Sequence, residues 1–215
     1  ASFIATANAI LHTNAVPVFA DISLGIYTVD PRLIGGKVTD RTRAVVPVHL
    51  YGRPADMDSI REISEKCGLR VVEDACQAHG AGYRGLKAGA LGDVGCFSFY
   101  SSKNMTVCGD GGMVTTNDEE VAKMVAKLRD CGRVSHYEHD VVGFTARLNT
   151  VNAAIGRVQL RRLDEWNERR QDHARLYSRL LSGLGDVVLP PRDGPGIKSV
   201  YHLYVIRTSL RDGLK

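Results

Sequence analysis

The sequence predicts an open α/β sheet, and two observations carry that prediction. Apolar runs of strand length recur at AVVPVHLY (44–51), LRVVED (69–74) and VGCFSFY (94–100), as strands covered on both faces require. Between the first two lies a segment of helical period, with Met57, Ile60, Ile63 and Cys67 three or four residues apart. Alternation of buried strands with helices is the pattern of such a sheet, and ligands bind beyond the carboxyl ends of its strands.

Taken in order, IATANAILHT (4–13) suits a short helix and Val16–Ala20 a strand. A helix is expected to start near Asp30 and Pro31, where proline can occupy the first turn. AVVPVHLY is the next strand. The helix that follows runs from about Asp56 to Cys67, with Gly68 closing it. LRVVED ends in two acids. VGCFSFY and GMVTT (112–116) give two further strands, and a helix from about Asp118 to Arg129 begins with Asn117, Asp118 and Glu119 at its donor-rich end.

From Thr150 to about Ser182 the chain is helical in character. Its apolar stripe is Leu160, Leu163, Trp166, Ala174, Tyr177, Leu180 and Leu181, and at 1.5 Å per residue it reaches roughly 50 Å, enough to bridge two domains. After the turn-rich VVLPPRDGPG, SVYHLYVIRTS (199–209) reads as a strand opening a second domain. The expected division is residues 1–180, a large domain including the linking helix, and 181–215, the beginning of a smaller one. The chain opens without an initiator Met and ends directly after a strand-like run, so it reads as a fragment of a longer protein.

An apolar content of 44% over 215 residues supports a real core and argues against disorder. The net charge of +4 is scattered, which is weak support for nucleic-acid binding. No apolar run reaches membrane-spanning length. Five cysteines with no CxxC spacing and no histidines clustered beside them argue against a disulfide scaffold and a zinc site, and fit a reducing, cytoplasmic setting. Cys76, Cys96 and Cys108 have mostly apolar neighbours and read as small buried hydrophobes. CGDGG lacks the spacing of a nucleotide-binding loop, and its glycines suit a tight turn back into the sheet.

Chemistry is expected where EDACQAHG puts Asp74, Gln77 and His79 after one strand, and where FSFYSSKN puts Ser98 and Lys103 at the end of another. A lone strand-end Asp is more often a loop cap, and a lone Lys is more often solvated. Together they form a set that pyridoxal 5'-phosphate needs: a lysine for its aldehyde, a carboxylate for its pyridine nitrogen, donors for its phosphate and an apolar or aromatic face.

VPVHLYGRPADMDSI, VVEDACQAHGAGYRG, GALGDVGCFSFYSSKN and CGDGGMVTTND together resemble the DegT/DnrJ/EryC1/StrS family of PLP-dependent sugar aminotransferases. The resemblance implies the large domain of fold type I, a mixed, mostly parallel sheet with helices on both faces. It implies that Lys103 links the cofactor and shuttles a proton, that Asp74 pairs with the pyridine nitrogen, that Gln77 meets the phenolic oxygen, that Ser98 binds phosphate and that Phe3 lies against the ring. Lysine at 103, where relatives that remove a hydroxyl carry histidine, favours transamination.

His79 remains open between a secondary role at the cofactor and a structural one. Thr145 stands where the family usually has an asparagine that reaches the phosphate in the neighbouring subunit, so that contact is in doubt, and Arg147 orients this loop, meets substrate anions or is simply solvated. A homodimer with shared active sites, glutamate or glutamine as amino donor and a nucleotide-linked keto-sugar as acceptor are the implied partners. A cyclitol or another small ketone is the alternative acceptor, and a non-catalytic regulatory protein is the rival reading.

Overall fold

The computed structural model of the chain describes residues 2–210 and 213. In chain order its regular elements are α1 (Ile4–Leu11), β1 (Ala44–Val45), α2 (Met57–Cys67), β2 (Arg70–Asp74), β3 (Gly82–Tyr83), β4 (Leu86–Lys87), β5 (Val94–Ser98), β6 (Gly112–Thr116), α3 (Glu119–Leu128), α4 (Thr150–Leu180) and β7 (Ile197–Lys198). The main sheet runs β1-β2-β5-β6, with the first three strands parallel and β6 antiparallel against β5. It is therefore the mixed, mostly parallel sheet that the sequence implies. A small antiparallel sheet, β4-β3-β7, sits beside it.

The α2 helix forms where its periodicity puts it. Asp56 caps it, accepting from the Ser59 N–H and hydroxyl, and Gly68 ends it at φ 65°, a left-handed conformation that costs glycine little. Met57 and Ile60 project into a core with Ile34, Ala55, Val71, Tyr83 and Leu91. A second cluster gathers Phe99, Met105, Val107 and Leu163, which seats α4 against the segment after β5. A third, of Ala75, Ala78, Ala81, Ala88 and Val200, lines the loop beyond β2.

Several expectations are corrected. Residues 16–20 form no strand, because they have no pairing partner among the described residues. At Asp30–Pro31 the chain makes two short 3-10 turns, Pro31–Leu33 and Gly35–Lys37, and the glycine pair at 35 and 36 disfavours a longer helix. AVVPVHLY keeps ladder pairing only at Ala44–Val45. Pro47 has no N–H to give, although its carbonyl accepts from Asp74 N and His49 N donates to the Asp74 carbonyl, so the run still flanks β2.

The segment 199–209 is not a continuous strand. Val200 N donates to the Gly52 carbonyl at 2.9 Å, Tyr201 takes φ 44°, and ladder contact survives as one bridge from Val188 to Arg207. The α4 helix is unbroken over 31 residues. Its buried line is Gly156, Leu163, Asn167 and Ala174, whereas Leu160, Tyr177 and Leu180 of the expected stripe are exposed. Cys108 is exposed too, not buried. Among the described residues no helix is long and apolar enough to cross a membrane.

Candidate active site

Asp74 is the last residue of β2 and Ser98 the last of the neighbouring parallel strand β5, so both stand at the carboxyl edge of the sheet. Lys103 follows in the turn after β5, where its N–H donates to the Tyr100 carbonyl at 2.9 Å. Its side chain is half-buried, as is that of Asp74. The two do not form an ion pair with each other.

Their charges nevertheless meet on a third group. Burial pushes the Cys76 thiol pKa up, Asp74 pushes it further and Lys103 pulls it back, so both charges act on that sulfur. A thiol held protonated in this way is a poor nucleophile.

Asp74 is oriented from two sides. Thr6 in α1 donates its hydroxyl to Oδ2 at 2.6 Å, and the Cys76 N–H donates to Oδ1 at 3.2 Å. A carboxylate accepts about four hydrogen bonds, so capacity remains for a cationic N–H. Phe3 is the N-cap of the same helix, three residues before Thr6, and is 70% exposed.

Gln77 lies in the loop beyond Asp74. Its Oε1 accepts from Tyr51 N at 2.7 Å, which leaves the NH2 end to donate elsewhere. Tyr51 takes φ 60°, an uncommon conformation for a tyrosine. The Ser98 hydroxyl oxygen accepts from Tyr100 N at 3.3 Å, so its own proton is available to an acceptor.

His79 is buried against Phe97 and Phe99, and neither ring nitrogen has a hydrogen-bond partner. Burial pushes its pKa down to about 4, and the charge of Lys103 adds to this. The Ser98 carbonyl opposes the shift from nearby without reaching hydrogen-bond geometry. In the loop before α4, Thr145 is exposed, with its hydroxyl 3.4 Å from the Cys131 sulfur. Arg147 lies 3.3 Å from Asp130 as an ion pair.

The structure therefore gathers Asp74, Gln77, Ser98 and Lys103 at one sheet edge, ties α1 to it through Thr6, and leaves Phe3 exposed at the start of that helix and Thr145 in a separate loop. A cleft of about 500 Å³ at the opposite, amino end of the strands, lined by Arg61, Glu65, Arg70 and Asp93, contains none of them. Sequence reasoning missed Thr6, whose only signal is a hydroxyl one turn into a helix, and Tyr51, which acts through its backbone. It also missed Asn104 and His202, whose partners are distant in sequence.

The DegT/DnrJ/EryC1/StrS aminotransferase family matches residues 1–214. The chain is 43% identical over 215 residues to a pleiotropic regulatory protein of Geobacillus stearothermophilus, covering 100% of this chain and 58% of that one. It is 44% identical over 214 residues to the dTDP-3-amino-3,4,6-trideoxy-alpha-D-glucose transaminase of Streptomyces venezuelae, covering 100% and 56%. Among solved structures, DesV of S. venezuelae in complex with a ketimine intermediate superposes with a TM-score of 0.95 at 45% identity, over 99% of this chain and 57% of that chain. The chain thus spans well under two thirds of the length of these relatives. On sequence and on fold, the chain belongs to the DegT/DnrJ/EryC1/StrS aminotransferase family.

Proposed function

We propose that the protein carrying this chain is a pyridoxal-phosphate-dependent aminotransferase that moves an amino group from glutamate or glutamine onto a nucleotide-linked keto-sugar. The observation that carries it is that Asp74 ends β2, Ser98 ends the neighbouring parallel strand β5 and Lys103 lies in the turn that follows, at the carboxyl edge of the sheet. The donor set fits the cofactor: a carboxylate with free acceptor capacity, an amide whose oxygen is taken by Tyr51 N so that its NH2 can donate, a hydroxyl whose oxygen accepts from Tyr100 N, and a half-buried lysine. When bound, pyridoxal phosphate supplies an aldehyde for amine exchange and a ring that takes up electrons.

Lys103 would hold the cofactor through its amine, and when that amine is free it would serve as the base that moves a proton at the donor carbon. Asp74, kept in place by Thr6, would hold a proton on the pyridine nitrogen, because a paired carboxylate favours the cationic ring. Gln77 would donate to the phenolic oxygen, Ser98 would donate to the phosphate, and Phe3 would offer an aromatic face to the ring. Residues 1–180 serve as the cofactor domain, and 181–215 begin the smaller one. A homodimer with shared sites completes the proposal, with the Thr145 loop reaching toward the partner. The five free cysteines suit a reducing cytoplasm.

The test is borohydride reduction of the full-length protein with pyridoxal phosphate, followed by peptide mass spectrometry. A phosphopyridoxyl group on Lys103 is the expected result, and its appearance on another residue, or on none, overturns the assignment. The likeness to a regulatory protein favours a second, non-catalytic reading. Transfer of ¹⁵N from labelled glutamate or glutamine into a keto-sugar or cyclitol excludes that reading and identifies the acceptor class.

A further inference from the structure

We propose that Asn104 and His202 are positioning residues for Lys103, a carboxamide and imidazole pair that fastens the lysine's turn to α4 and to the segment 199–202. The proposal rests on the role given to Lys103 above. Asn104 directly follows the lysine and is buried. Its Nδ2 donates to Asn167 Oδ1 at 3.0 Å and to the Val200 carbonyl at 3.1 Å. Its Oδ1 lies 3.2 Å from His202 Nδ1. Asn167, in the middle of α4 and 1% exposed, donates its own Nδ2 to the His79 carbonyl at 2.8 Å.

The orientation of every group in this chain follows from the two backbone carbonyls, which only accept. The His79 carbonyl requires Asn167 Nδ2, which turns Asn167 Oδ1 toward Asn104. That oxygen and the Val200 carbonyl then consume both hydrogens of Asn104 Nδ2. Asn104 Oδ1 is left to face His202, and an amide oxygen cannot donate. His202 must therefore carry a proton on Nδ1.

Burial pushes the His202 pKa down to about 4, helped by the charges of Lys103 and Arg170, so the ring is neutral near neutral pH and Nε2 keeps its lone pair. The backbone leaves room for the network at Gly80, where φ is 80° and a Cβ would stand 2.8 Å from Asn167 Nδ2.

A buried carboxamide with its donors and acceptor all engaged cannot shift without stranding polar groups. The turn that bears Lys103 is thereby locked to a helix of the large domain and to the segment leading onward along the chain. The network's task is to keep the amine where it reacts, and misplacement by about 1 Å can cost on the order of 100-fold in rate.

The test uses the full-length protein. Without cofactor, long-range ¹H–¹⁵N correlation of the imidazoles is expected to show His202 protonated at Nδ1, the tautomer that free histidine disfavours. Asn104→Ala is expected to return the ring to the Nε2–H form. With pyridoxal phosphate and cyanoborohydride, fixation on Lys103 is expected to slow about tenfold in Asn104→Ala and in His202→Ala. His202→Asn, whose amide nitrogen can donate in place of Nδ1, is expected to recover most of the rate.

An Nε2–H tautomer in the wild-type protein overturns the proposal, and so does a wild-type fixation rate in His202→Ala. Should Asn104→Ala fail to fold, the His202 pair decides the matter. The tautomer is read without cofactor, so its failure is distinct from failure of the aminotransferase reading, which would appear as a wild-type Lys103 that is never modified.

Discussion

Glu73 and Asp74 are adjacent in β2 and project to opposite faces, and strand alternation gives them opposite tasks. Asp74 opens toward the sheet edge. Glu73 is fully buried, taking hydrogen bonds from His49 Nε2 at 2.8 Å and from the N–H groups of Gly89, Leu91 and Gly92 at 2.7 Å each. His49 Nδ1 accepts from Ala55 N, which fixes its proton on Nε2. Burial works against the Glu73 charge, but these donors outweigh it and hold the pKa below the ordinary carboxylate value.

Glu73→Gln turns one acceptor into an NH2 that faces N–H donors, and is expected to cost on the order of 3 kcal/mol in urea unfolding. Because the folded pKa is depressed, the contribution of Glu73 is present above its unfolded pKa and is lost as pH falls through the folded one. His79 and His202 act in the same direction at higher pH. Both are depressed to about 4, so the cofactor-free protein is expected to lose stability as pH falls from about 6.5 toward 4. His79→Leu should flatten the upper part of that loss, measured as thermal midpoint against pH. The sequence showed two acids at a strand end and pointed to the second as the functional one. It could not show that the first is walled in, because its partners come from residues 49 and 89–92.

At the level of elements, legibility followed the range of the interactions. The α2 helix was readable to within a residue, because its cap, periodicity and terminator are all local. Asp56→Ala is expected to destabilise the protein by about 1 kcal/mol in a denaturant titration, and somewhat more because Asp56 also accepts from the Tyr83 hydroxyl at 3.1 Å. GMVTT was read with its observed bounds. AVVPVHLY and 199–209 were misread as continuous strands because composition reports apolarity, whereas a ladder needs a partner in register and an N–H at each paired position. Pro47 lacks that donor, and Tyr201 turns the backbone away. The line of burial along α4 was misjudged for a related reason. A buried Asn167 looks like surface in a periodicity count, and only its distant partners Asn104 and His79 make it core.

Over the whole molecule, large apolar side chains stand exposed at Phe3, Val142, Phe144 and Val151, near the two segments that the resemblance assigns to a shared site. The full-length protein is expected to sediment as a dimer, and Phe144→Glu to shift it toward monomer with loss of activity, since a charge on a buried subunit contact is costly. An unchanged sedimentation coefficient would move the interface elsewhere.

The unbroken α4 spans about 46 Å from its 31 residues. Near its start, Asn152 lies beside Gly109 of the loop after Lys103, while further along Ser178 and Tyr204 join their hydroxyls at 2.9 Å. Asn167, bonded to Asn104 and to the His79 carbonyl, lies between these two contacts and would be the fulcrum of any tilt. A tilt of a few degrees that displaces the chain around Tyr204 would swing the opposite tip by about an ångström, which would make this rod a lever by which events beyond residue 200 reach the loop after Lys103.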